Sequence, residues 1–387
     1  MSFGDKVQSA FKVSLPSLIV SLVIGFFGGT FLGKYLDRIR RDYPGLLVIL
    51  PGMMGLRGNV FSSMASRFST MLYLGELKPS VKDRKVLENV VIAMLLSLIP
   101  VTLLWAIGVI RGVRYHAIEI LFIVIGSTIL VSLILGYFTA GITILAFRRD
   151  VDPDSLAAPL VASMGDLLTI PTLVGFILLL ERNSMEFWAL NGFSVLMLFF
   201  LLAFSRVGPS KFKEYKQLFT TVTALAMLSL VSGFTLERFS GLIASSVILG
   251  FAYPSILSSF GNYGSIIAAK TSTKLNLGEI RGYLSREPFE EIFALLLTTP
   301  IIGLFINLFS LAIAYLLLRE EPRFAFELAL TYPFMALFIM LYAYSISYVL
   351  FQHNIDPDSV AIPLIANNSD IFGTIYVVLI AKMMVGA

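Results

Sequence analysis

The sequence predicts an all-α polytopic membrane protein, with about 11 transmembrane helices arranged as two parallel five-helix repeats joined by a linker helix. Composition is the first reason. Of 387 residues, 57% are hydrophobic and only 14% charged, whereas soluble domains carry about 25% charged residues. Apolar runs of about 20 residues, the length that crosses roughly 30 Å of hydrocarbon, recur along the whole chain. The third reason is internal duplication, because two separated motifs each occur twice at nearly one offset.

The apolar runs fall at about 13–36, 44–74, 87–110, 117–147 and 155–180, then at about 187–205, and again at about 218–238, 242–275, 290–318, 325–351 and 359–385. The first contains SLIVSLVIGFFGGTFLG and is followed by charges without a small-residue cleavage signature, so it reads as a retained span and not as a signal peptide. Its Gly25, Gly29 and Gly33 form a small-residue face suited to helix packing. The second and eighth runs carry Pro51 and Pro254, which are expected to break the helix inside the membrane and free carbonyl groups. The fourth and eighth are long enough to tilt or bend. The fifth and eleventh open on Asp-Pro-Asp-Ser, where Asp154 and Asp358 suit helix N-caps and the proline ends whatever precedes it.

The copies are read from two motifs. Pro51, Gly58, Asn59, Ser62, Ala65 and Glu76 recur 203 positions later as Pro254, Gly261, Asn262, Ser265, Ala268 and Glu279. Asp152, Pro153, Asp154, Ser155, Pro159 and Asp166 recur 204 positions later as Asp356, Pro357, Asp358, Ser359, Pro363 and Asp370. This divides the chain into a first repeat over 1–180, a linker helix and loop over 181–217 and a second repeat over 218–387. Five spans alone would invert the second copy, and one extra span restores its direction, so the repeats are expected to be parallel. Their pseudo-twofold axis would then lie along the membrane normal, as in a dimer fused into one polypeptide.

Under eleven spans, Lys78, Lys82, Arg84, Lys85, Arg148, Arg149, Arg206, Lys211, Lys213, Lys216, Arg281 and Arg286 share a side with the N-terminus. The positive-inside rule then predicts a cell-membrane protein with a cytoplasmic N-terminus and an extracellular C-terminus, with Lys34 to Arg41 counting against it.

A single carboxylate stands deep inside each Asp-Pro-Asp-Ser helix. Asp166 and Asp370 lie eleven residues beyond Ser155 and Ser359, about 16 Å along a helix and near mid-membrane, where a charge is costly unless it meets water, a cation or a partner. Parallel repeats would bring both to one pathway, and facing carboxylates attract a divalent cation. Calcium and magnesium take oxygen ligands, and magnesium keeps most of its water. Ser163 and Asn367, one turn earlier, offer groups for that water, as do Asn59 and Asn262 from the other motif. Asp152 and Asp356 at the mouth would concentrate cations. The plainer readings are caps and turns for the Asp-Pro-Asp-Ser residues and close helix packing for the Gly-Asn pairs.

Other classes are excluded or disfavoured. There is no cysteine, hence no disulfide or thiol metal site. His116 and His353 are unmatched between copies, which argues against a histidine metal centre. No nucleotide-binding loop, ATPase machinery or nucleic-acid module is present, so neither an enzyme nor a cofactor is expected. Arg67, matched by Lys270, balances acidic residues or binds lipid phosphate in this reading.

DPDSLAAPLVASMGDLLTIP and RGNVFSSMASRFSTMLYLGEL resemble signature segments of the MgtE-type and solute carrier family 41-type magnesium transporter superfamily. The resemblance covers both copies. It implies a bundle of five-helix units with a cation pathway at a twofold interface. By motif it gives hydrated-magnesium binding to Asp166 and Asp370, with Asn59 and Asn262 alongside. The Gly-Gly-Asn of many relatives is Arg57-Gly58-Asn59 and Phe260-Gly261-Asn262 here, and Thr169 becomes Gly373 in the second copy, so the two pathway walls are expected to differ. About a dozen residues precede the first run, which suggests the membrane module without the magnesium-sensing domains of bacterial relatives. The expected function is transport of magnesium or another divalent cation, channel-like or coupled to sodium or protons, by a single-chain pseudo-dimer in lipid. A non-transporting scaffold or receptor and an organic-solute carrier are the alternatives.

Overall fold

The computed structural model describes residues 3–110, 116–149, 153–205, 207, 215–280, 282–319, 322–355 and 357–385, and every regular element among them is a helix. Each predicted run becomes one long helix. The first copy is α1 (Phe3–Asp42), α2 (Pro44–Tyr73), α3 (Arg84–Ile110), α4 (Ala117–Arg148) and α5 (Pro153–Arg182). The linker helix α6 (Ser184–Ser205) follows. The second copy is α7 (Leu218–Ala244), α8 (Val247–Asn276), α9 (Arg286–Leu317), α10 (Phe326–Gln352) and α11 (Pro357–Val385).

Among the described residues, ten helices are long and apolar enough to cross a membrane, and α8 is the eleventh long helix. The most apolar stretch of its counterpart α2 has the lowest mean hydropathy of the ten, 1.3, and is also the most enclosed by protein, 78% buried. Ser69 on α2 and Ser255, Ser259 and Ser272 on α8 are buried by protein, which is where a membrane protein tolerates polar groups.

Three interruptions mark the bundle. A π-helical turn at Ala10–Ser14 lies within α1, α7 has a turn at Ser229, and α9 has one at Leu297 and Thr298. The expected breaks at the prolines do not occur: α2 and α8 run unbroken through Pro51 and Pro254. Proline removes a single backbone donor and crowds the preceding turn. Both sites are fully enclosed by protein, and packing holds the helix through the defect.

The chain forms two compact units, and neither is one uninterrupted copy. One consists of Met1–Asp37 with Arg238–Ala387, and the other of Arg38–Glu237. Most of α1 therefore folds with the second copy, and most of α7 with the first. The same contact makes both exchanges. A Cβ built on Gly29 would lie 2.1 Å from the Phe251 carbonyl oxygen of α8, and one on Gly233 would lie 1.8 Å from the Val48 carbonyl oxygen of α2. Only glycine lets a helix approach backbone this closely. Gly25 and Gly33 extend the α1 face over Ser255 and Phe251, as the small-residue spacing predicts.

The ends of α2 and α8 are also copies of each other. Gly75 and Gly278 both take φ of 70°, the left-handed conformation that closes a helix. The Glu76 and Glu279 amides then donate back to the Met71 and Lys274 carbonyls, at 2.8 and 2.9 Å.

Candidate functional site

The copied motifs lie on the most extensively packed helix pairs, α2 with α5 in the unit Arg38–Glu237 and α8 with α11 in the other. Asp166 is the fourteenth residue of α5 and Asp370 the fourteenth of α11. Both side chains are half-buried, as is Ser163, whereas Asn367 is only 2% exposed. The structure thus puts Asp166 and Ser163 on α5 beside the helix of Asn59, and Asp370 and Asn367 on α11 beside the helix of Asn262. Asp152 and Asp356 lie outside the described residues, as do the side chains of Asp154 and Asp358.

The two asparagines are half-buried, and Asn262 has a defined task. Its Nδ2 donates to Ser21 Oγ of α1 at 2.8 Å, and Ser21 Oγ lies 3.4 Å from Ser258 Oγ of α8. This asparagine fastens the exchanged helix onto the second copy. Asn368, two residues before Asp370, donates from Nδ2 to the Tyr342 hydroxyl.

The first copy holds a charge partner that the motif comparison did not select. Arg57 on α2 is 1% exposed, and its guanidinium donates to Thr169 Oγ1 of α5 and, at 3.3 Å, to Thr128 Oγ1 of α4. Thr169 in turn donates to the Gly165 carbonyl at 2.5 Å. Thr169, which takes the guanidinium, stands three residues beyond Asp166 on α5, about one helical turn away. A Cβ on Gly165 would lie 3.7 Å from the Arg57 Cβ, so the residue before the aspartate sits directly against the arginine stem. Three helices therefore hold one buried cation about one helical turn from Asp166. The sequence signal was present: an arginine inside an apolar run, at a position where the second copy has Phe260.

The second copy fills the matching places with uncharged residues. Offsets of 203 and 204 carry Arg57 to Phe260, Thr128 to Tyr332 and Thr169 to Gly373. Phe260 is fully buried, stacks on Tyr332 at 5.1 Å and meets Tyr376 edge-on at 5.5 Å. Where Thr169 accepts the guanidinium, Gly373 leaves room for the ring: a Cβ there would lie 3.4 Å from Phe260 Cδ2. The two copies thus differ at three places, with Arg57 in contact with the other two residues in the first and Phe260 in the second.

Other charges are occupied at the helix ends. Buried Lys6 bonds Glu287 at 2.6 Å and Glu290 at 2.8 Å, Lys274 bonds Glu287 at 2.8 Å and Glu291 at 3.1 Å, and Lys270 bonds Glu291 at 2.7 Å. The matched Arg67 instead lies 3.8 Å over the Tyr215 ring, whose hydroxyl donates to Asn89 Oδ1 at 2.9 Å. Among the described residues, no three histidine, cysteine, aspartate or glutamate side chains cluster as a metal cage.

Comparison with known proteins bears on the same segments. The chain is 23% identical over 304 residues to mouse solute carrier family 41 member 2, covering 73% of this chain and 52% of that protein. The human member 2 gives 23% identity over 303 residues, with 73% and 52% covered. Mouse solute carrier family 41 member 3 is 27% identical over 173 residues, 42% of this chain and 35% of that protein. The chain spans about half the length of the member 2 proteins it matches. No solved structure matches it. The family model described as MgtE, divalent cation transporter, matches residues 50–176 and again 253–380, one segment in each copy and more than half of the chain. The chain belongs to the MgtE divalent cation transporter family.

Proposed function

We propose that this protein moves magnesium, or another divalent cation, across a membrane by way of the carboxylates Asp166 and Asp370. The observation that carries the reading is the matched pair itself: one carboxylate at the same place in each of two apolar helices, inside both segments that match a divalent cation transporter family. A charge at that depth is costly and is kept where it serves ions or partners. Two carboxylates are too few to strip a divalent ion of its water, and magnesium surrenders its water reluctantly. The ion is therefore held through its hydration shell, with Ser163, Asn367, Asn59 and Asn262 as partners for the bound water and Asp152 and Asp356 drawing cations toward the mouth. The tandem duplication supports a pathway shared by the copies along a pseudo-twofold axis, within the repeats 1–180 and 218–387 and with the linker 181–217 between them.

The driving force follows from charge. A divalent ion moving inward gains about 4.6 kcal/mol per 100 mV of membrane potential, enough for uptake without ATP, and exchange against sodium or protons uses the same carboxylates in the other direction. The setting is the cell membrane with a cytoplasmic N-terminus, as a single-chain pseudo-dimer. The test is flux into liposomes holding the purified full-length chain, comparing magnesium, manganese, cobalt and calcium with and without sodium and proton gradients. Uptake of at least one divalent ion above protein-free liposomes supports transport, and the gradient arms separate channel-like from coupled movement. Absence of divalent flux in every arm, from protein shown to be folded, overturns it in favour of a scaffold or receptor or an organic-solute carrier.

A further inference from the structure

We propose that Arg57 is a resident counter-cation for Asp166, and that it sets how tightly the first copy holds a passing divalent ion. The inference rests on the transport reading above. Its observations are the buried guanidinium anchored by Thr169 and Thr128, the 3.7 Å that would separate a Cβ on Gly165, the residue before Asp166, from the Arg57 Cβ, and the Phe260, Tyr332 and Gly373 that replace Arg57, Thr128 and Thr169 in the second copy.

A guanidinium is effectively always charged, and its planar fork of donors suits two fixed acceptors at once. Placed beside Asp166, it offsets the negative charge that would otherwise draw an ion there, and being covalently tethered it cannot leave. A carboxylate with a fixed cation at its side binds a second cation more weakly, because the two cations repel across a low-dielectric interior. Conduction requires binding favourable enough to enter and weak enough to leave, and a tethered cation supplies the second half of that requirement. Phe260, Tyr332 and Gly373 at the matched places in the second copy bring no charge of their own. Asp166 and Asp370 are thus unequal stations: Arg57 makes the first the weaker, releasing one.

Two neutral variants and one charged variant test this in reconstituted full-length protein. Arg57→Met keeps the stem, and Arg57→Gln keeps a donor for the threonines. Both are expected to lower the half-saturating magnesium concentration at least about tenfold, the factor that corresponds to about 1.4 kcal/mol, while maximal flux falls because release slows. Arg57→Lys keeps the charge and is expected to stay within about threefold of wild type. A neutral variant with an unchanged half-saturating concentration, or a lysine variant shifted as far as the neutral ones, overturns the proposal and leaves Arg57 a packing residue.

Thermal unfolding of Arg57→Met, Asp166→Asn and the double variant gives a readout independent of flux. Each single change leaves one charge uncompensated, so the double variant should melt above at least one of the singles. Additive losses overturn the pairing. Wild-type protein that carries no divalent ion defeats the transport reading, whereas wild-type flux with unshifted Arg57 variants defeats this inference alone.

Discussion

Gly233→Ala is the sharpest probe of the exchanged helices. The new Cβ would stand 1.8 Å from the Val48 carbonyl oxygen and 2.6 Å from its carbon, against an ordinary contact of 3.4 Å or more. Helix α7 must then move away from α2 by roughly 1.6 Å, the difference between those distances, and the obstacle is backbone that cannot rotate aside. Overpacking of a close-fitted interior costs about 1–3 kcal/mol, and an unyielding neighbour puts this change at the upper end. The control is Gly175→Ala on α5, where nothing lies within 4 Å of the new methyl and a helical alanine gains about 0.5–1 kcal/mol over glycine. Gly233 is also helical and shares that gain, so at about 2 °C per kcal/mol for a chain of this size, Gly233→Ala should melt roughly 4–6 °C below Gly175→Ala. The assay is thermal unfolding of detergent-solubilised protein followed by fluorescence of Trp105 and Trp188. Equal midpoints for the two variants would refute the reciprocal packing of first helices.

Two more outcomes follow from the packing. Phe260→Ala removes a fully buried ring stacked on Tyr332 and should cost about 3–5 kcal/mol, read as a lower unfolding midpoint; a midpoint unchanged from wild type would mean the aromatic triad bears little of the second copy's stability. Lys6→Met takes one partner away from both Glu287 and Glu290 and should lower the midpoint at low salt, with the deficit narrowing at 1 M salt because Glu287 is 39% exposed and screening reaches it. A deficit independent of salt would assign Lys6 a packing role.

Much of the architecture was legible because a bilayer imposes simple demands on sequence. Eleven apolar runs became eleven helices, and the copied Gly-Asn and Asp-Pro-Asp-Ser segments marked where the two copies lie. Periodicity says which residues avoid lipid but not which helix receives them, so the exchange of α1 and α7 was not legible even though Gly25, Gly29 and Gly33 announced a close contact. Pro51 and Pro254 misled in the opposite way, since a local rule about a missing donor was overridden by enclosing protein. At the candidate site, the copied carboxylates stood out because they recur, and Arg57 escaped selection because it does not. Its meaning depends on Thr128 and Thr169, which are 71 and 112 residues away in the chain and become its neighbours only when α2, α4 and α5 pack.

The most direct test of the central claim is magnesium flux into liposomes carrying Asp370→Asn. This side chain swap keeps shape and removes the charge from the fourteenth residue of α11. Flux should fall at least about tenfold at a fixed magnesium concentration, since a contact worth about 1.4 kcal/mol already changes binding by that factor, while the unfolding midpoint shows the protein still folded. Wild-type flux through folded Asp370→Asn would contradict the account.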